Sequence, residues 1–60
     1  MPDSRMFPAL AAATVDGLRG ERLRAALDAA VDVAKGSHNP RLQALACEVV
    51  RAARARGLVA

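Results

Sequence analysis

His38 and Cys47 are the residues of this chain whose side chains suit metal binding or nucleophilic chemistry. Each is the single residue of its type among the 60 residues. A zinc site within one chain uses three or four ligands at short, regular spacings, and neither a Cys-x-x-Cys pair nor a second histidine is present. No carboxylate lies at a recognisable ligand spacing from either residue. We therefore expect no metal site, no cofactor and no enzymatic activity.

Cys47 leaves two interpretations open. A neighbouring arginine would make its thiol reactive, whereas a small residue in a partly covered position on a helix needs no chemical role. A single cysteine cannot form a disulfide within the chain, which is typical of proteins of the reducing cytoplasm. The abundance of alanine and arginine is typical of bacterial genomes of high GC content. We therefore expect a bacterial, cytoplasmic protein.

Arginines near the end of the chain are its other chemical feature. Arg41, Arg51, Arg54 and Arg56 are accompanied only by Glu48, so the net charge of +3 is concentrated there. Arginines on an exposed helix can neutralise phosphates, which makes nucleic-acid binding one hypothesis. Side chains that read base edges are few, and no tyrosine or tryptophan is available for base stacking. Cations at the carboxyl end of a helix are also favoured by its dipole, and this explanation requires no ligand.

The elements that position these residues are indicated by three apolar stripes, which run from Phe7 to Leu18, from Leu23 to Ala34 and from Leu42 to Ala53. Each stripe repeats at the helical spacing i, i+3, i+4, i+7, i+8 and i+11. Each stripe would cover one face of an amphipathic helix. The pattern therefore predicts an all-α fold in a single helical domain, 1–60, made of three helices. The predicted helices cover about 6–18, about 20–35 and about 40–56.

Glycine and proline mark the helix boundaries. Gly36 is expected to take the left-handed conformation that follows a helix, so helix 2 stops near Lys35. Pro40 suits the first helical position and pushes Asn39 out of helical geometry, which makes Asn39 the expected N-cap of helix 3. Gly57 is expected to end helix 3.

The junction of helices 1 and 2 has two possible forms. On one continuous helix the first and second stripes would lie on roughly opposite sides. A bend between Gly17 and Gly20 would bring both stripes to one core, and this is the interpretation we favour. The alternative is a long rod whose opposite faces serve different partners.

The chain is short for a protein that folds alone. A domain of this length buries only about 60% of the surface that its unfolded chain exposes. Small helical proteins often compensate by oligomerising, because a second copy covers apolar faces that one copy leaves in water. We therefore expect an antiparallel hairpin of helices 2 and 3 that pairs into a dimeric helical bundle. The residues predicted to mediate self-association are Leu23, Leu27, Val31, Leu42, Leu45 and Val49.

The functional hypothesis is a small helical protein-interaction module that acts as a homo-oligomer: an adaptor, an inhibitor or a regulatory subunit. The alternative is a basic nucleic-acid-associated protein that binds phosphates through the arginines of helix 3. No apolar run approaches the roughly 20 residues of a membrane span, and no small-molecule substrate is evident. The residues predicted to bind an outside partner are Phe7, Leu10, Arg51, Arg54 and Arg56.

Overall fold

The computed structural model describes residues 5–58, and over this range the chain forms three α-helices and no strand. Helix α1 covers Met6–Gly17, α2 covers Gly20–Gly36 and α3 covers Pro40–Ala55. The predicted all-α, three-helix fold is confirmed. Helix α3 packs against both α1 and α2, whereas α1 and α2 contact each other little. It is therefore the central helix of the fold.

The chain leaves helical geometry between α1 and α2. Leu18 and Arg19 are both extended, with ψ values of 150° and 156°. Gly20 then begins α2 with a φ of +60°, a conformation that glycine adopts without the steric cost of a Cβ atom. The two helices are separate, and the continuous rod is not what the chain forms.

Asn39 caps the start of α3, as predicted. Its side-chain oxygen accepts hydrogen bonds from the backbone N–H groups of Arg41, at 3.0 Å, and Leu42, at 3.4 Å. Pro40 occupies the first turn, where its missing N–H costs nothing. The hydroxyl of Ser37 accepts a hydrogen bond from the Asn39 N–H at 3.1 Å. These contacts fix the direction in which α3 leaves the connection from α2.

Gly57 ends α3 in the left-handed conformation, with a φ of +71°. Its N–H donates to the carbonyl of Arg54 at 3.0 Å, and the N–H of Leu58 donates to the carbonyl of Ala53 at 2.9 Å. This pair of bonds is a Schellman closure, which satisfies two carbonyls that the helix leaves unpaired. The closure fixes the position of Leu58 relative to α3.

The corresponding prediction for Gly36 is wrong. Among residues 5–58, only Gly20 and Gly57 have a positive φ, and Gly36 is the last residue of α2. The residue that caps the helix is Ser37, which is extended and whose N–H donates to the carbonyl of Val33 at 3.0 Å. An extended residue already turns the chain towards Asn39, so a left-handed residue is not needed at this end.

Small side chains form the core. Alanine and valine from all three helices are buried, and no side chain larger than valine reaches that degree of burial within the described part of the chain. Several larger apolar side chains stay substantially in solvent, with exposures from 46% for Leu58 to 59% for Met6. Much of the available apolar surface is therefore still accessible to a partner. The buried residues are Ala11, Val15, Ala30, Ala46, Val49 and Ala53.

Candidate protein-interaction surface

An open groove runs along α2 and α3 and exposes apolar side chains of both helices. One section of it has a volume of about 650 Å³. Leu23, Leu27 and Val31 of α2 line this section together with Val50 of α3 and Leu58, which follows α3. The side chains on α2 and α3 are half-buried and Leu58 is exposed, so the floor of the groove is apolar and incompletely covered.

The charged residues of this section all belong to α2. Glu21, Arg24 and Asp28 line it and are exposed. Within the range that the structure covers, Glu21 and Asp28 make no ion pair. We call this part the mixed section, because it carries two carboxylates and one guanidinium group.

A second section adjoins the first and shares Val31 and Val50 with it. Its volume is about 390 Å³, and Ala34 and Cys47 also line it. We call it the basic section, and we call the two sections together the α2–α3 groove. The charged residues that line the basic section are Lys35, Arg51 and Arg54.

Arg51 remains accessible on the wall of the basic section. Its guanidinium group lies 3.5 Å from the carboxylate of Glu48, one turn earlier in α3, and its side chain is 78% exposed. An exposed pair of this kind contributes little to stability, because solvent screens it and both side chains stay flexible. Arg51 is therefore available to a second anion.

The residues predicted to mediate self-association do not lie on one surface. Leu23, Leu27 and Val31 line the α2–α3 groove. Leu42 is 52% exposed and lies outside the groove, and Leu45 is half-buried. Val49, in contrast, is buried in the core. The structure thus brings together the three members of the set that belong to α2.

The residues predicted to bind an outside partner are also divided among several places. Phe7 is half-buried in α1, and Leu10 of the same helix is 47% exposed. Arg51 and Arg54 line the basic section of the groove. Arg56 lies just beyond α3 and is engaged in an ion pair.

The partner of Arg56 is Asp16, near the end of α1. The Nε and Nη2 atoms of Arg56 donate to the two carboxylate oxygens of Asp16, the second at 2.9 Å. These hydrogen bonds lower the pKa of the Asp16 carboxyl below its ordinary value of 3.8. The pair joins α1 to the end of α3, so Arg56 does not belong to a free cluster of cations.

His38 and Cys47 lie in different parts of the molecule. His38 is exposed in the connection between α2 and α3, and Cys47 is exposed at the basic section of the groove. No group of three or more potential metal ligands occurs in the stretch from residue 5 to residue 58. The exposure of Cys47 differs from the partly covered position that the second interpretation expects.

Val50 and Leu58 complete the groove but are absent from the set predicted for self-association. Val50 follows Val49 in the third stripe, and successive residues of a helix point about 100° apart. Val49 therefore enters the core while Val50 lines the groove. The third stripe is wide enough for its residues to face two sides of α3, and this width is the signal in the sequence that indicates two contact faces. Leu58 needs the Schellman closure to reach the groove, which no apolar period encodes.

Comparison with models of known protein families, with curated proteins and with solved structures finds no match. A membrane span is not found either, since each helix in residues 5–58 is too short or too polar to cross a bilayer.

Proposed function

We propose that this chain is a small protein-interaction module that acts as a homo-oligomer, with the α2–α3 groove as its docking surface. The observation that carries the proposal is the apolar floor of the groove. Leu23, Leu27, Val31 and Val50 are half-buried there, while the core itself is formed by alanine and valine. Covering apolar surface contributes about 25 cal/mol for each Å² removed from water. A partner in the groove would therefore add stability that one copy lacks.

Two observations support an antiparallel hairpin of α2 and α3 within such an assembly. The side-chain amide of Gln43, near the start of α3, donates to the carbonyl of Ala34, near the end of α2, at 3.0 Å. At the other end, Gly20 and Leu58 line the same section of the groove. A hairpin of this kind is the repeating half of a dimeric four-helix bundle.

The proposed role is that of an adaptor, an inhibitor or a regulatory subunit in the bacterial cytoplasm. It requires no cofactor and no catalytic activity, since an open apolar groove with charged walls recognises another protein by shape and charge. The exposed Leu10 of α1 is the proposed additional contact for an outside partner.

The test is the oligomeric state of two matched variants. Val31 lines both sections of the groove, whereas Ala29 is exposed on α2 and does not line it. We expect sedimentation velocity to show self-association of the wild-type chain and of Ala29→Lys, but not of Val31→Lys. Buried lysine in an apolar interface is strongly unfavourable, because its charge loses water without gaining a partner. Circular dichroism checks that both variants keep their helices.

Equal self-association of the two variants would contradict the proposed docking surface. A wild-type chain that is monomeric at millimolar concentration would contradict the homo-oligomer itself.

Nucleic-acid binding is the second candidate function, and the basic section of the groove favours it. Lys35, Arg51 and Arg54 lie along one stretch of surface. Binding to duplex DNA would weaken steeply with added salt, because neutralised phosphates release counterions. It would also be lost when Arg51 and Arg54 are both replaced by alanine. No binding at low salt would exclude this candidate.

A further inference from the structure

We infer that the occupant of the α2–α3 groove is the same groove of a second copy, arranged so that each α2 lies against the partner subunit's α3. The inference rests on the proposed docking function and adds the identity and the orientation of the partner. It follows from three properties of the groove: its apolar floor, the distribution of its charges and the alignment of α2 with α3.

The floor can face itself. A twofold interface brings one patch against an identical patch, so the patch must be complementary to itself. The floor carries leucine and valine in the mixed section and valine and alanine in the basic section, with Val31 and Val50 common to both. Pairing two such floors covers apolar side chains on both copies and leaves the charged residues at the margin.

The charges favour one of two twofold arrangements. If the axis crossed the helices, α3 would face the partner subunit's α3, and Arg51 and Arg54 of both copies would meet. The acidic side chain of α3 beside these guanidinium groups is Glu48, which already pairs with Arg51 of its own chain. If the axis runs parallel to the helices, α2 faces the partner subunit's α3 instead. Glu21, Arg24 and Asp28 then face Arg51 and Arg54, so two carboxylates and one guanidinium group oppose two guanidinium groups, instead of the four guanidinium groups that meet in the first arrangement.

The alignment of α2 with α3 identifies the pairs. Rotation about an axis parallel to the helices leaves every residue at the same height along the bundle. Asp28 shares its section of the groove with Val50, the neighbour of Arg51, and Glu21 shares it with Leu58, one turn beyond Arg54. Asp28 therefore meets the partner subunit's Arg51, and Glu21 lies near the partner subunit's Arg54.

Two charge-reversed chains and their mixture test this arrangement. In a homodimer of Asp28→Arg, arginine faces arginine at both contacts. In a homodimer of Arg51→Glu, carboxylate faces carboxylate. In the mixed dimer, both contacts are again between opposite charges. We expect each variant alone to dissociate about tenfold more readily than the wild type, and the equimolar mixture to recover the wild-type affinity as a heterodimer.

Sedimentation equilibrium gives the affinities, and native mass spectrometry distinguishes the heterodimer by its mass. Asp32→Arg is the matched control, because Asp32 is exposed on α2 and does not line the groove. This control is expected to keep the wild-type affinity.

The outcomes separate the orientation from the docking function. Tighter association of Arg51→Glu alone, without recovery in the mixture, would overturn this orientation and indicate α3 against α3. The orientation would also be overturned if Val31→Lys abolished association but no charge reversal changed it. In that case the proposed docking surface would stand. A wild-type monomer at millimolar concentration would overturn both.

Discussion

The core and the α2–α3 groove use different side chains, although α3 contributes to both. Alanine and valine fill the core, where Ala11 and Ala53 are fully covered. Leucine and valine line the groove, where those on α2 and α3 are half-covered and Leu58 is exposed. Small side chains allow helices to approach closely, but each removes little apolar area from water. The burial of the core therefore contributes little hydrophobic free energy to folding. The apolar area that could contribute more is still exposed to solvent in the groove.

The core and the groove should differ most in how a larger side chain changes the free energy of unfolding, and this is the largest effect that we expect. Ala53→Leu forces three further carbon atoms into a fully covered position, which should cost about 1–3 kcal/mol of unfolding free energy. Val31→Leu adds one methylene to an open groove, and we expect a change within about 0.5 kcal/mol. Denaturant unfolding at one fixed protein concentration, followed by circular dichroism, measures both. Equal losses would remove the distinction between a closed core and an open groove.

Two glycine-to-alanine substitutions at helix ends form a second, smaller test. An added Cβ meets no atom within 4 Å at either Gly36 or Gly57, so only the backbone conformation distinguishes these sites. Gly57→Ala should cost about 1–2 kcal/mol, because its φ of +71° is unfavourable for alanine. It also weakens the closure that keeps Leu58 at the groove. Gly36→Ala should instead add about 0.5 kcal/mol. Thermal unfolding gives both signs, and a loss at Gly36 would show that its conformation is not helical.

Protonation of Asp16 should have the smallest effect, and it acts on the contact between α1 and α3. Hydrogen bonds from Arg56 lower the pKa of Asp16 in the folded chain. The stabilising contribution is therefore present above the ordinary value of 3.8 and is lost as the pH falls through the lowered pKa. We expect Asp16→Asn to reduce the loss of stability between pH 4 and strong acid, as measured by urea unfolding at several pH values. An unchanged pH dependence would mean that the pair contributes nothing.

The sequence predicts the helices well because their signals are local. A period of 3.6 residues identifies the three stripes, and Asn39 followed by Pro40 is enough to place the start of α3. The separation of α1 from α2 is the form that the sequence favours, since two stripes on opposite sides of one helix cannot share a core, but the pattern alone also allows a continuous rod.

The site is less predictable because it depends on which parts of each stripe meet. Val49 and Val50 are equivalent in the sequence pattern, yet one is in the core and the other in the groove. Gly36 and Gly57 also resemble each other locally, but only one is left-handed, because Ser37 redirects the chain after α2. Arg56 is removed from the predicted cluster of cations by Asp16, 40 positions earlier in the chain. These three differences depend on how the helices pack against one another, which the sequence pattern does not show.

The central place of α3 has a consequence for the order in which the chain folds during synthesis. Because α1 and α2 contact each other little, a nascent chain that ends at Gly36 can bury only a small part of either apolar face. Short helices without such support are barely stable in water. The nascent chain must therefore emerge largely unstructured and acquire its tertiary structure in one late step, after α3 has left the ribosome.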